Sequence, residues 1–152
     1  MKLTQCNLII ATFIITGIYD LLLQFFTEHI DAMPSWIQWF DFIGSLKPYF
    51  EKHTVLSAIL LAGFVGAIAQ LIILNIQPFP TTLRALLPFL VLTFLVSALV
   101  GLPMQWSGLF PILNDTYYHH LGTWRGLYHD GISGLIVQIT LFVLIYGSQF
   151  YK

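Results

Sequence analysis

Five polar side chains in the first apolar stretch follow one another at intervals of four residues: Thr12, Thr16, Asp20, Gln24 and Glu28. Residues four apart share one face of a helix, so this order predicts a polar stripe along an otherwise apolar helix. A polar stripe inside lipid has to face protein or water, because hydrocarbon satisfies no hydrogen bond. A carboxyl group there is costly, and Asp20 is therefore the first candidate for acid–base or transport chemistry.

A second polar series lies near the other end of the chain. Arg125, His129 and Ser133 are again four residues apart, with Asp130 beside them. If their helix begins before Arg125 and runs antiparallel to the first helix as its neighbour, the levels of the two stripes match. The expected pairs are Glu28 with Arg125, Gln24 with His129 and Asp20 with Ser133.

Two interpretations of this polar cluster remain open. Polar side chains often hold membrane helices together, at about 0.6–2 kcal/mol per contact. This simpler interpretation is preferred. In the alternative the cluster works, either as a polar path through Asp20 or as an acid–base site formed by Asp20, His129 and Asp130.

The composition shows where such helices must lie. Hydrophobic residues make up 57% of the chain, charged residues make up 9%, and the mean hydropathy is +0.81. Soluble domains carry about a quarter charged residues, so most of this surface must meet lipid. A net charge of -1 with six basic residues excludes a nucleic-acid surface. One cysteine excludes an internal disulfide and a cysteine-based metal cluster.

Membrane-spanning helices need roughly 20 mostly apolar residues, and four windows qualify. They lie at about 5–26, 54–76, 81–102 and 127–150. We therefore expect an all-α fold, an integral membrane four-helix bundle formed by one domain over residues 1–152. The first span is expected to be retained, because no small-x-small cleavage site follows it.

Four spans place both termini on one side and two long connections on the other. The first connection should contain an amphipathic helix at the membrane interface, with Trp36 and Trp39 at headgroup depth. The second is expected to be a long aromatic loop before the fourth span. Lys and Arg near the spans are tied at three on each side, so they do not orient the chain. The sequon at Asn114, a possible glycosylation site, favours cytoplasmic termini and lumenal or external loops.

Small residues on the second span form a separate pattern. Ala58, Ala62 and Gly66 are four residues apart, with Gly63 and Ala67 beside them, and such small residues allow close helix approach. Their partner could be another helix of this chain, another membrane protein or a second copy. No His-x-x-x-His pair, HExxH, P-loop or dinucleotide motif occurs, so neither a metal nor a cofactor is expected.

Three classes of function remain. The first is a non-catalytic accessory, assembly or structural component of a cellular or viral membrane, favoured by the small size and the absence of catalytic motifs. The second is a small carrier or channel whose polar path runs through Asp20. The third is a small membrane enzyme or lipid-binding protein with a site under the two long loops.

Overall fold

The computed structural model describes residues 4–28, 55–106 and 117–147. This part of the chain contains four α helices and no strand, as the all-α prediction requires. Helix α1 is Gln5–Glu28, α2 is Val55–Ile76, α3 is Leu83–Trp106 and α4 is Tyr117–Tyr146.

Two threonine hydroxyls fix where helices begin. The backbone N–H of Asn7 donates to Thr4 Oγ1 at 3.3 Å, and the N–H of Ala85 donates to Thr82 Oγ1 at 3.3 Å. Each threonine accepts from the residue three positions later, which is the geometry of an N-cap. The first N–H groups of α1 and α3 thereby gain an acceptor that the helix itself cannot supply.

The turn between α2 and α3 is anchored by an aromatic side chain. The ring of Phe79 packs edge-on against Phe89 of α3, with centroids 5.5 Å apart, and stacks on Tyr146 of α4 at 6.5 Å. Such pairs add about 0.5–1.5 kcal/mol to the burial of the rings. The turn therefore joins α2 to the start of α3 and the end of α4.

Three helices contain segments long and apolar enough to cross a membrane: Gln5–Leu23, Ile59–Ile76 and Leu83–Gly101. The apolar part of α4, Asp130–Tyr146, is shorter.

Two helix bounds differ from the predicted spans. Helix α4 begins at Tyr117 rather than near 127, and α3 continues to Trp106 rather than ending near 102. Much of the predicted long loop is thus helical. Residues 107–116 and the predicted interfacial helix lie outside the described residues.

The four helices pack side by side in a ring. The most extensive contacts join α1 to α2 and α3 to α4, and contacts of α2 with α3 and of α1 with α4 close the ring. A Cβ on Gly17 would touch Ile59, and one on Gly63 would touch Phe13. Four residues backward on α1 thus correspond to four residues forward on α2, so these helices are antiparallel.

Rows of large apolar side chains are exposed on the outside of the ring along all four helices. They include Ile14 on α1, Ile68 on α2, Val91 on α3 and Ile139 on α4, each at least 38% exposed. Exposed apolar rows of this kind are unusual on a soluble monomer. With three helices of membrane-spanning length, they indicate a membrane-embedded protein.

Candidate functional site

Several polar side chains lie among the apolar ones in the interior, which we define as the side chains buried between the four helices. Those that are almost fully buried are Thr12, Gln70, Thr93, Ser97 and Gln138. Every helix contributes at least one of them. Burial of a polar group costs free energy unless the group is hydrogen-bonded, so the partners of these side chains decide what the interior can do.

Two threonines of α1 are satisfied within their own helix. Thr12 Oγ1 donates to the carbonyl oxygen of Leu8 at 2.8 Å, and Thr16 Oγ1 donates to that of Thr12 at 2.7 Å. Bonds to the carbonyl four residues earlier are a common solution for threonine inside a helix. The hydroxyl protons of Thr12 and Thr16, the first two residues of the predicted polar stripe, therefore need no acceptor from another helix.

A glutamine pair joins two helices that are not consecutive in the ring. Gln138 Nε2 on α4 donates a hydrogen bond to Gln70 Oε1 on α2. Both side chains are buried, with 2% and 0% of their surface exposed. Within the described part of the chain, Gln70 Nε2, Gln138 Oε1 and Thr93 Oγ1 are buried without a hydrogen-bond partner.

Glycines set the close approach of α3 and α4. A Cβ on Gly101 would lie 1.9 Å from Oδ2 of Asp130, and one on Gly134 would lie 2.2 Å from Oγ of Ser97. Contacts this short mean that both side chains rest directly on a bare backbone. Going from the first contact to the second, α3 steps back four residues while α4 advances four, so the helices are antiparallel.

The predicted Asp20 level of the polar cluster is partly described. Asp20 and Ser133 are both half-buried. Ser133 Oγ donates to the hydroxyl oxygen of Tyr19 at 3.5 Å, at the long end of hydrogen-bond distances. This contact lies between α1 and α4, which are neighbours in the ring. At this level the hydroxyl of Ser133 thus contacts the hydroxyl of Tyr19, which precedes Asp20 in the sequence.

The remaining predicted pairs are not described at the side-chain level. The side chains of Gln24, Glu28, Arg125 and His129 lie outside the described part, although all four residues belong to helices. Asn114 lies outside the described residues altogether. Pairing of Glu28 with Arg125 and of Gln24 with His129 therefore stays a prediction. Asp130, at the end of this series, lies against Gly101 of α3.

Part of the small-residue face of α2 contacts α1. A Cβ on Gly63 would lie 2.9 Å from the ring of Phe13, and one on Gly66 would lie 2.4 Å from Oγ1 of Thr16. The two glycines are therefore covered by side chains of α1. Ala62 and Ala67 are half-buried, and the side chain of Ala58 is not described.

Across residues 4–28, 55–106 and 117–147, no group of three or more His, Cys, Asp or Glu residues could hold a metal ion. Comparison with models of protein families, with curated proteins and with solved structures gives no match for this chain. The chain combines a few buried polar side chains in a largely apolar interior, glycines at the helix contacts and large apolar side chains on the outside.

Several residues at the helix contacts do not belong to the predicted site, among them Tyr19, Gly134 and Gln138. For Gln138 the sequence does contain a signal, since it is the one amide in the apolar run from Gly134 to Tyr146 and must face protein there. The roles of Tyr19 and Gly134 depend on which helices become neighbours, and spacing within one helix carries no such information.

Proposed function

We propose that the chain is a multi-pass integral membrane protein, a four-helix bundle formed by one domain over residues 1–152. The observation that carries this proposal is the outward row of large apolar side chains on every helix, opposite an interior in which five polar side chains are buried among apolar ones. In water such a surface would drive aggregation, whereas in a bilayer it is solvated by lipid.

The proposal includes α4 as a fourth span. Its apolar part, Asp130–Tyr146, would reach about 25 Å at about 1.5 Å per residue. That is a little less than the hydrocarbon thickness of about 30 Å, a mismatch that bilayers accommodate at modest cost. Support comes from the exposed Ile136, Ile139 and Val143, which would face lipid on α4 as Val91 does on α3.

The proposed bundle has one polar end. An amphipathic interfacial helix follows α1, and the long aromatic segment that precedes the fourth span includes the first turns of α4. Both termini are proposed to be cytoplasmic, which places Asn114 on the lumenal or external side. The antiparallel contacts of successive helices support a common side for the two termini.

Within the membrane we propose a non-catalytic role as an accessory, assembly or structural component. The close contacts at Gly101 and Gly134 support it, because side chains of the opposite helix fill the space that these glycines leave. Helices packed this closely suit a protein that acts through its surface. Its partners would be the lipid bilayer and either other membrane proteins or a second copy. The protein partners would bind the part of the α2 small-residue face that α1 does not cover.

Native mass spectrometry of the gently solubilised full chain tests this role. The expected result is a second protein or a second copy bound in fixed stoichiometry, and unchanged binding in Asp20→Asn. Thr140→Val, which alters an exposed hydroxyl of α4, is the matched control. A chain that carries lipid alone, with neither a second protein nor a second copy bound, would contradict the accessory role.

The second candidate is a small carrier or channel. It is favoured by polar groups at two levels of the interior, the Tyr19–Ser133 contact near Asp20 and the Gln70–Gln138 pair nearer the other end. Flux of protons or small solutes into liposomes tests it. Transport that vanishes in Asp20→Asn and persists in Thr140→Val would favour the carrier over the accessory role. The third class, an enzyme or lipid-binding protein under the long loops, has no described observation in its favour.

A further inference from the structure

Three polar atoms of the interior have unused hydrogen-bonding capacity of complementary kinds. Gln70 Nε2 can donate, Gln138 Oε1 can accept, and the hydroxyl of Thr93 can do either. All three side chains are at most 2% exposed. A buried polar group without a partner lowers the stability of the fold by about 1–3 kcal/mol. Three such groups would therefore destabilise the fold considerably if no molecule formed hydrogen bonds with them.

The three side chains lie at nearly the same depth. Gln70 precedes the end of α2 by six residues, Gln138 precedes the end of α4 by eight, and Thr93 follows the start of α3 by ten. These helix ends share one side, because consecutive helices are antiparallel. At about 1.5 Å per residue the three depths are about 9, 12 and 15 Å, a spread of about one helical turn.

The register of α3 and α4 places two of the groups within one helical turn of each other. Asp130 rests on Gly101, and four residues further along α4 Gly134 lies against Ser97. Thr93 Cγ2 also lies 3.3 Å from a Cβ placed on Gly134, and one more step of four along α4 leads to Gln138. The hydrogen bond from Gln138 to Gln70 then brings the α2 side chain to the same point.

We propose that Gln70, Thr93 and Gln138 form a binding site for one small neutral molecule that both donates and accepts hydrogen bonds, and that this molecule is water. A buried water typically makes about three hydrogen bonds to otherwise unsatisfied groups, and the site offers one donor, one acceptor and one hydroxyl. A cation would meet the N–H groups of Gln70, and an anion would meet the carbonyl oxygen of Gln138. The charge-neutral site therefore matches water better than either ion.

Apolar neighbours separate this site from bulk solvent. Ala69 and Ile73 of α2 and Phe89 and Val96 of α3 form a buried hydrophobic cluster, each within four residues of Gln70 or Thr93 along its helix. A water held there would exchange slowly and would tie three helices together. The proposal concerns the interior alone and does not depend on whether the protein acts as an accessory component or as a carrier.

Water-to-amide cross-relaxation, measured by NMR on the full chain in lipid with ¹⁵N-labelled glutamine, tests the site. The expected result is a water cross peak at the side-chain amides of Gln70 and Gln138. Thr93→Val, which removes the hydroxyl at nearly constant volume, should lose most of that intensity. Thr140→Val removes an exposed hydroxyl that donates to Ile136 and should leave the peak unchanged.

Two results would overturn the proposal. The first is a wild-type chain whose two amides show no water cross peak and contact each other through both of their amide groups, which would close the pair without a third molecule. The second is a peak whose intensity is the same in Thr93→Val as in the wild type. Density for the full chain at a resolution that shows ordered water gives an independent readout, with a peak expected within hydrogen-bond distance of all three side chains.

Discussion

Gln138 Nε2 donates a hydrogen bond to Gln70 Oε1 and thereby connects α4 with α2, two helices on opposite corners of the ring. Neighbouring helices in this chain meet largely through glycines and apolar side chains. A polar contact across the centre adds a directional constraint, because it is made only when both helices have the correct rotation. The pair therefore acts on the specificity of packing as well as on its strength.

The glutamine pair should show strong non-additivity. Gln70→Leu or Gln138→Leu alone leaves one buried amide without its partner and should lower the free energy of unfolding by about 1–2 kcal/mol. The double variant removes both amides and should recover most of the loss, since an apolar pair of similar size needs no hydrogen bond. Reversible unfolding in mixed micelles measures all three variants. A double variant whose loss equals the sum of the single losses would show that the two amides do not interact.

Gly134 should not tolerate a side chain. A Cβ there would lie 2.7 Å from the Cβ of Ser97 as well as against its hydroxyl, so α3 and α4 must separate. Gly134→Ala is expected to cost about 1–3 kcal/mol, as overpacked cores do. Gly147→Ala is the matched control, because its nearest neighbour would be Val143 Cγ1 at 3.4 Å. Equal stabilities of the two alanine variants would argue against the close α3–α4 contact.

Gly101→Ala should have a milder effect. The atoms that it would meet, Oδ2 and Cγ of Asp130, belong to a side chain that can rotate away. A displaced rotamer costs about 0.5–1.5 kcal/mol. Asp130→Ala in the same chain removes those atoms and should cancel that cost. A double-mutant cycle on the free energy of unfolding measures the coupling, and purely additive effects would mean that the carboxyl group does not rest on Gly101.

The hydroxyl contact between α1 and α4 should contribute little. Ser133 Oγ and Tyr19 Oη are 3.5 Å apart, and such a long hydrogen bond is weak. Tyr19→Phe is expected to change the free energy of unfolding by less than about 1 kcal/mol, within the range of polar contacts between membrane helices. Ser133→Ala supplies the second arm of the cycle. A coupling well above that value would show that this contact organises the α1–α4 interface.

The sequence predicts most of the helical architecture, because long apolar runs report directly on α1, α2 and α3. It does not predict the start of α4 at Tyr117. Residues 117–126 are polar and aromatic and contain Gly122, so neither hydropathy nor helix propensity marks them as helical. In the structure these residues form the first turns of α4, ahead of the apolar segment that begins at Asp130.

The interior is predicted less completely than the helices. The four-residue spacing places Thr12 and Thr16 on one stripe of α1, and in the structure Thr12 is buried and Thr16 lies under Gly66. Gln138 joins the interior through Gln70 of a distant helix, which no spacing within α4 can reveal. Contacts between helices depend on rotation and register, and these are set by packing after the helices have formed.

Lipid exposure at the middle of all four helices tests the central claim, a four-span membrane bundle with an apolar exterior. Ile14, Ile68, Val91 and Ile139 lie near the centres of the apolar segments and are 51%, 38%, 57% and 43% exposed. Each can be replaced singly by a spin-labelled cysteine in a Cys6→Ser background, since the exposed Cys6 would otherwise be labelled. In bilayers all four labels are expected to be relaxed strongly by oxygen and weakly by a water-soluble nickel complex. Strong relaxation by the nickel complex at Ile139 alone would remove α4 from the set of spans, and at Val91 it would contradict the membrane bundle itself.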